Sequence, residues 1–185
     1  MTTRIGLSSP EHDVNKRLDV TITYLEQAER PVLPQPRLPK RKIALMRAEN
    51  APVHFYRYLY RLVGDPYHWV SRRRMGDDAL REIIHDPDVY VYVLYVEGVP
   101  AGFAEIDGRN GRAHELKFFG LAPDFLGQGL GRYFLTNVID AAWARAPERL
   151  LLETCTLDHA AALPLYQKFG FKVTDRREGT VELME

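Results

Sequence analysis

Three glycines alternate in the run Leu126-Gly127-Gln128-Gly129-Leu130-Gly131, which follows apolar residues and opens a helical pattern. This run constrains the fold more than any other stretch, because it sets a glycine-dependent turn at the start of a helix. Backbone N–H groups in such a turn can approach a ligand that side chains would block, and a helix N-terminus favours anions. A phosphate-bearing cofactor is therefore the first expectation. Spacing excludes two phosphate loops. A Walker-type loop needs Gly-Lys-Ser/Thr, whereas Gly131 is followed by Arg132-Tyr133. A dinucleotide fingerprint counted from Gly127 would end on glycine where Arg132 stands.

The rest of the composition removes other chemistries. With 185 residues the chain reads as one main domain, and 45% hydrophobic with 27% charged residues is the balance of a globular protein. Lys+Arg and Asp+Glu both number 25, so charge points to neither nucleic acid nor a membrane. A single cysteine, Cys155, excludes an internal disulfide and suggests a cytoplasmic setting. Residues 1–9 lack the basic-then-apolar pattern of a signal peptide, and no run approaches the roughly 20 apolar residues of a membrane span. The six histidines are scattered, so no metal is expected. Ser8, Ser9 and Ser71 are the only serines, and none lies in a G-x-S-x-G elbow.

Pro31, Pro34, Pro36 and Pro39 mark an extended connector, preceded by an alternating strand pattern over 19–25. Residues 1–40 are read as an N-terminal extension and 41–185 as the main domain. In the latter, 42–48 suits a strand, an aromatic helix runs from Pro52 to near Gly64, and a second helix ends at Ile84. Strands over 89–96, 101–107 and 114–121 form an antiparallel meander. Phe134, Leu135, Val138, Ile139, Ala142 and Trp143 make one face of a helix that follows the glycines. A strand over 149–154 leads to a helix N-capped by Asp158, which Pro164 should kink, and two short strands, 171–174 and 180–183, close the chain. The sum is an α/β fold with a mixed, mostly antiparallel sheet flanked by helices.

With these elements placed, the chain resembles the GCN5-related N-acetyltransferase superfamily from about Ile43 onward. The glycine run resembles its Q/R-x-x-G-x-G/A pyrophosphate motif, with Leu126 in the first position and Gly129 and Gly131 in the small ones. Ala162-Leu163-Pro164-Leu165-Tyr166-Gln167-Lys168-Phe169-Gly170-Phe171 resembles its A-x-x-x-Y-x-x-x-G-F signature. His159 stands where the family often has a pantetheine-contacting Asn. The resemblance implies acetyl-CoA as co-substrate, held by Leu126, Gly127, Gln128, Gly129, Leu130, Gly131, Arg132 and His159, and acetyl transfer to an amine by direct attack in a ternary complex.

That reaction makes three demands. A lysine-like amine is neutral in only about one part in a few thousand at pH 7, a handicap near 4.6 kcal/mol, so a base is needed. Glu115 is the candidate, on a strand whose alternation would place it on one face with Lys117 and Phe119. The oxyanion needs a donor, which the resemblance assigns to the N–H of Phe119 or Leu121 in a splayed strand pair. The leaving thiolate needs an acid, and Tyr166 holds that place. Tyr67, His68 and Trp69 are candidates for acceptor contact, an apolar or cationic group suiting their rings. Cys155 reads as a packed core residue, and Arg72-Arg73-Arg74, like the basic run ending at Lys42, as a solvated face. The acceptor is a small molecule or a protein. A catalytically weak acyl-CoA sensor and a transferase for a longer acyl group are the alternatives, and the late strands offer an edge for pairing into a homodimer.

Overall fold

Apolar alternation draws seven segments into one sheet in the computed structural model, which describes residues 17–33, 36 and 38–184. Pro34 of the connector and the residues read for a signal peptide lie outside the described residues. The elements in chain order are β1 (Arg17–Gln27), β2 (Ile43–Arg47), α1 (Val53–Gly64), α2 (Asp77–Ile84), β3 (Val89–Val96), β4 (Val99–Asp107), β5 (Ala113–Leu121), α3 (Leu130–Trp143), β6 (Arg149–Cys155), α4 (Ala162–Lys168) and β7 (Lys172–Glu182). Single 3-10 turns at Asp65–Tyr67 and Pro123–Phe125 follow α1 and β5. The strand order is β2-β3-β4-β5-β6-β1-β7, antiparallel throughout except for the parallel β5–β6 pair.

Helices cover both faces. Tyr56, Leu59 and Tyr60 of α1 and Leu80 of α2 pack on Val91, Val93 and Phe103. On the other face, Phe134, Leu135 and Val138 of α3, with Tyr166 of α4, meet Leu94, Ile106 and Leu150. Burial from both sides explains why β3 reads as an almost continuous run, VYVYVLYV, rather than as an alternation.

Four local readings of the sequence change. First, β1 is no appendage of the sheet. It pairs with β6 on one side and β7 on the other, and Val20, Thr23, Leu25 and Gln27 are buried. Second, the two late strands are one. Tyr24 faces Asp175 while Leu25 faces Val173, so a bulge at Thr174 absorbs the irregularity and the polar stretch stays in an edge strand. Third, Asp158 caps no helix. Its carboxylate turns back to the Thr154 hydroxyl and the Cys155 N–H at 2.7 and 3.0 Å, and α4 starts at Ala162. Pro164 then falls in the first turn, where its missing N–H costs nothing and no kink is required.

The fourth change reaches the site. Glu105 of β4 faces Phe118, but Ile106 faces Leu116, so Lys117 is the extra residue of a bulge in β5. Leu116 and Phe119 both pack toward α3 and α4, and Phe118 packs toward α1. Glu115 therefore sits on the opposite face from Phe119, not the same one.

At the start of β5, His114 is buried, its Nδ1 has no partner among the described residues, and burial together with Arg145 holds its pKa below the usual value. The folded state thus resists a proton that the unfolded chain accepts. Stability is expected to be intact above about pH 6.5 and to fall as pH drops through the depressed folded value. Urea titrations on either side of that pH, compared with His114→Leu, check this: the variant should lose most of the acid sensitivity.

Candidate active site

The parallel pair β5–β6 holds for only three residue pairs, Ala113–Arg149, His114–Leu150 and Glu115–Leu151. Beyond them β5 follows β4 as far as Leu121, whereas β6 follows β1, with Cys155 opposite Ile22. The two strands part, and the wedge between them is a cavity of about 430 Å³. The Ala122 N–H donates to Ala101 O at 2.9 Å, toward β4. Because backbone groups alternate in direction along a strand, the N–H groups of Leu121 and Phe119 face away from β4, into the wedge. Both residues line the cavity.

The glycine run closes one end of this wedge. Gly127 and Gly129 have φ of 71° and 77°, which demands glycine, and Gly129 is the residue that enters α3. At Gly131 φ is ordinary for a helix, and an added Cβ would meet only Leu121 Cδ1 at 3.7 Å. Nothing in the protein's own packing requires glycine there, so the missing side chain leaves room for something else to approach the α3 N-terminus. The N–H groups of Gly127, Gln128 and Gly129 have no acceptor among the described residues. A row of free amides at the start of a 14-residue helix fits a phosphate or pyrophosphate.

The remaining loop positions divide by role. Leu126, Gly127 and Gly131 line the cavity, while Gln128, Gly129, Leu130 and Arg132 do not. Leu130 is a core anchor. Gln128 donates to Asp124 O at 2.7 Å and accepts from Arg41 Nη1 at 2.6 Å, and Arg41 also pairs with Glu97 at 2.8 Å. A guanidinium thus stands beside the loop although the motif's first position carries Leu126. Nothing in the basic run before β2 distinguished Arg41, since its neighbour Gln128 is 87 residues away.

Tyr166 of α4 lines the same cavity, its ring packed edge-on to Phe119 and Phe171. Burial, with a further contribution from the Asp158 charge, pushes its pKa far above that of a free phenol. The hydroxyl therefore stays protonated across the neutral range. His159 lies at the cavity wall with its ring 6.4 Å from that of Tyr67. Its Nδ1 accepts the Ala161 N–H at 3.1 Å, which leaves Nε2–H as the donor of the neutral ring.

Tyr67, His68 and Trp69 all line the cavity, so these three join the loop and Tyr166 in one space. His68 ends the 3-10 turn in the left-handed region at φ 57° and redirects the chain so that Trp69 follows into the wedge. Trp69 fills the space over Gly64, where even a Cβ would come within 2.5 Å of its ring, and its Nε1 reaches Asp158 Oδ1 at 3.3 Å. Asp158 is thus held by three donors and ties the end of β6 to the loop before α2. Its short spacing from Thr154 and Cys155 is the signal the sequence offers for this role, in competition with that of a helix cap.

Glu115 does not line the cavity. Its Oε1 accepts from Lys117 Nζ at 2.8 Å, and Lys117 also lies 3.6 Å from Glu153. The carboxylates that do line the cavity are Glu153 and Asp158. Cys155 borders it too, half-buried, and burial raises its pKa, which keeps a protonated thiol. Arg72 overturns the solvated-face reading. It is 8% exposed, its Nη2 donates to the fully buried Glu105 at 2.5 Å, and Tyr56 donates to the other oxygen of that carboxylate. Arg57 secures the same segment through Arg72 O and Met75 O.

A mostly antiparallel seven-stranded sheet, flanked by helices and splayed beyond its one parallel pair, defines the fold. The chain belongs to the acetyltransferase (GNAT) family, whose model matches residues 56–171. Among solved structures it is similar to a GCN5-related N-acetyltransferase from Sphaerobacter thermophilus (TM-score 0.62, 17% identity, 95% of this chain and 55% of that one). It is also similar to a GNAT family acetyltransferase from Elizabethkingia anophelis with acetyl-CoA bound (0.52, 20%, 72% and 78%). An aminoglycoside acetyltransferase from an uncultured soil metagenomic sample, in complex with trehalose, matches with TM-score 0.56, 14% identity, 69% of this chain and 86% of that one. Several similar structures are longer proteins, of which this chain spans 55–62%. Curated proteins give no sequence match. Among the described residues no helix is long and apolar enough to cross a membrane, and no cluster of His, Cys, Asp or Glu could hold a metal.

Proposed function

We propose that this protein transfers an acetyl group from acetyl-CoA to a primary amine, by direct attack with both substrates bound. One observation carries the reading: Gly127 and Gly131 of the glycine loop, Phe119 and Leu121 of β5, and Tyr166 all line a single cavity that opens where β5 and β6 part. The acetyl-CoA bound to the Elizabethkingia protein supports the same donor. Bound acetyl-CoA supplies an activated thioester. The amides of Gly127, Gln128 and Gly129 and the α3 N-terminus hold its pyrophosphate, and the His159 Nε2–H serves its pantetheine arm. The Phe119 and Leu121 N–H groups stabilise negative charge on the carbonyl oxygen, a donor of this kind being worth about 2.7–4 kcal/mol of barrier.

In that arrangement Tyr166 would serve the sulfur. With its pKa held above that of a thiol, its hydroxyl stabilises the departing thiolate by hydrogen bonding before any proton moves. For the amine's proton, Asp158 is engaged by three donors, whereas among the described residues Glu153 has only the more distant Lys117. Glu153 therefore takes the proton, directly or through water, and Glu115 acts on it through Lys117. The acceptor-panel assay that tests the whole reading follows CoA thiol release. Within it, Glu153→Gln should lower kcat most at low pH, where the amine is most protonated, and Glu115→Gln should do so less. A larger effect from Glu115→Gln would return the base role to that residue.

A further inference from the structure

The cavity has two unlike halves. Toward α3 and α4 it carries Gly127, Gly131 and Tyr166. On the α1–α2 face its walls are the rings of Tyr60, Tyr67, Trp69 and Phe118. The floor there comes from the two strands beyond β6 in the sheet: Val20 and Ile22 of β1, and Val181 of β7. Val20 and Ile22 alternate with Thr23, Leu25 and Gln27, and Gln27 bonds Phe169 O and Trp143 Nε1 on the opposite face. Gly179, opposite Val20, adds no side chain, and a Cβ there would press to 3.2 Å from Ile22 Cδ1.

Charge in this space is sparse and net negative. Lys117, Glu153 and Asp158 are the Lys, Arg, Asp and Glu side chains of the lining, and Lys117 is already paired with Glu115. Among the described residues no arginine borders the cavity, and an anionic acceptor finds no unpaired lysine or arginine there. A polyhydroxylated or multiply charged acceptor would leave its polar groups against apolar walls, which costs free energy for each unmade hydrogen bond. An aromatic or aliphatic body removes apolar surface from water instead, and an ammonium is attracted by ring faces and by the carboxylates.

We infer that the acceptor is a small amine carrying an aromatic or aliphatic body, an arylalkylamine-like molecule, and that β1 and β7 select it by flooring the pocket. The inference rests on the transfer reading above and adds the substrate class. Those strands lie outside residues 56–171, so the floor is not part of the segment that matches the family.

The probes are 2-phenylethylamine, spermidine and kanamycin, added to the full chain saturated with CoA. Trp69 lines the pocket, so its fluorescence reports binding directly, and Trp69→Phe identifies its share of the signal beside Trp143. The expected result is saturable binding of 2-phenylethylamine at least about tenfold tighter than that of the other two. Ile22→Thr, or Val181→Thr should the first fold poorly, keeps a β-branched strand residue. It should weaken 2-phenylethylamine about tenfold, with acetyl-CoA affinity unchanged. Tighter binding of spermidine or kanamycin, or no binding by any of the three, overturns the inference. Thiol release separates it from the reading it rests on. An amine that binds as expected yet releases no thiol sinks transfer and leaves the binding class standing. Release with spermidine but not 2-phenylethylamine sinks the class and leaves transfer.

Discussion

Tyr166→Phe should lower kcat by about 10²-fold or more, the low end of what a positioned general acid contributes, while acetyl-CoA affinity stays near that of the parent. The ring keeps its contacts with Phe119 and Phe171, so what is lost is the hydroxyl alone. Burial and the Asp158 charge hold that hydroxyl protonated well above neutrality. The alkaline side of the pH–rate profile should therefore not report Tyr166, and the variant should show a uniformly lower curve with its acid limb retained. Thiol-release kinetics and calorimetric titration of acetyl-CoA measure the two quantities separately. Full turnover with normal binding would remove Tyr166 from the mechanism.

Arg72→Met should cost about 3–5 kcal/mol of stability, because it leaves the Glu105 carboxylate without a counter-charge at zero exposure. Tyr56 alone would remain to donate to it. The double variant Arg72→Met with Glu105→Met removes both charges and should recover much of that loss, since desolvation of the pair opposes its own attraction. Urea denaturation of the two single variants and the double completes the cycle. The position matters for the site as well. Arg72 is three residues from Trp69, and its bond to β4 fixes the loop that carries Tyr67–Trp69 against the wedge. An additive cycle would mean that the pair holds nothing in place.

Much of this site was legible in the sequence because its parts are local. The loop glycines announce positive φ at Gly127 and Gly129, and the apolar spacing after them announces α3. The Tyr166 signature is likewise contained in one short helix and the residues just after it. Tyr67, His68 and Trp69 follow a Gly-Asp-Pro break, and that is enough to place them on a turn. Other residues take their meaning from a distant partner, which local pattern does not show. Arg72 looked solvated until Glu105, 33 residues on, stood across from it. Asp158 looked like a cap because Ser, Thr, Asp and Asn before a helix usually are, and its three donors come from β6 and from Trp69. The bulge at Lys117 has no local mark at all, yet by shifting the alternation it moved Glu115 to the other face from Phe119 and out of the cavity wall.

The sequence by itself determined most of the helices and strands, the left-handed glycine turn at Gly127 and Gly129, and that this turn opens α3. Those features follow from periodicity and from the conformational range of single residues, both read within a few positions. Only the tertiary structure decided that β1 enters the sheet between β6 and β7, that β5 and β6 part after three pairs, and which side chains face the resulting wedge. Strand order and register are set by hydrogen bonds and packing between segments far apart in the chain, and a one-residue slip in such a ladder exchanges the buried face for the other.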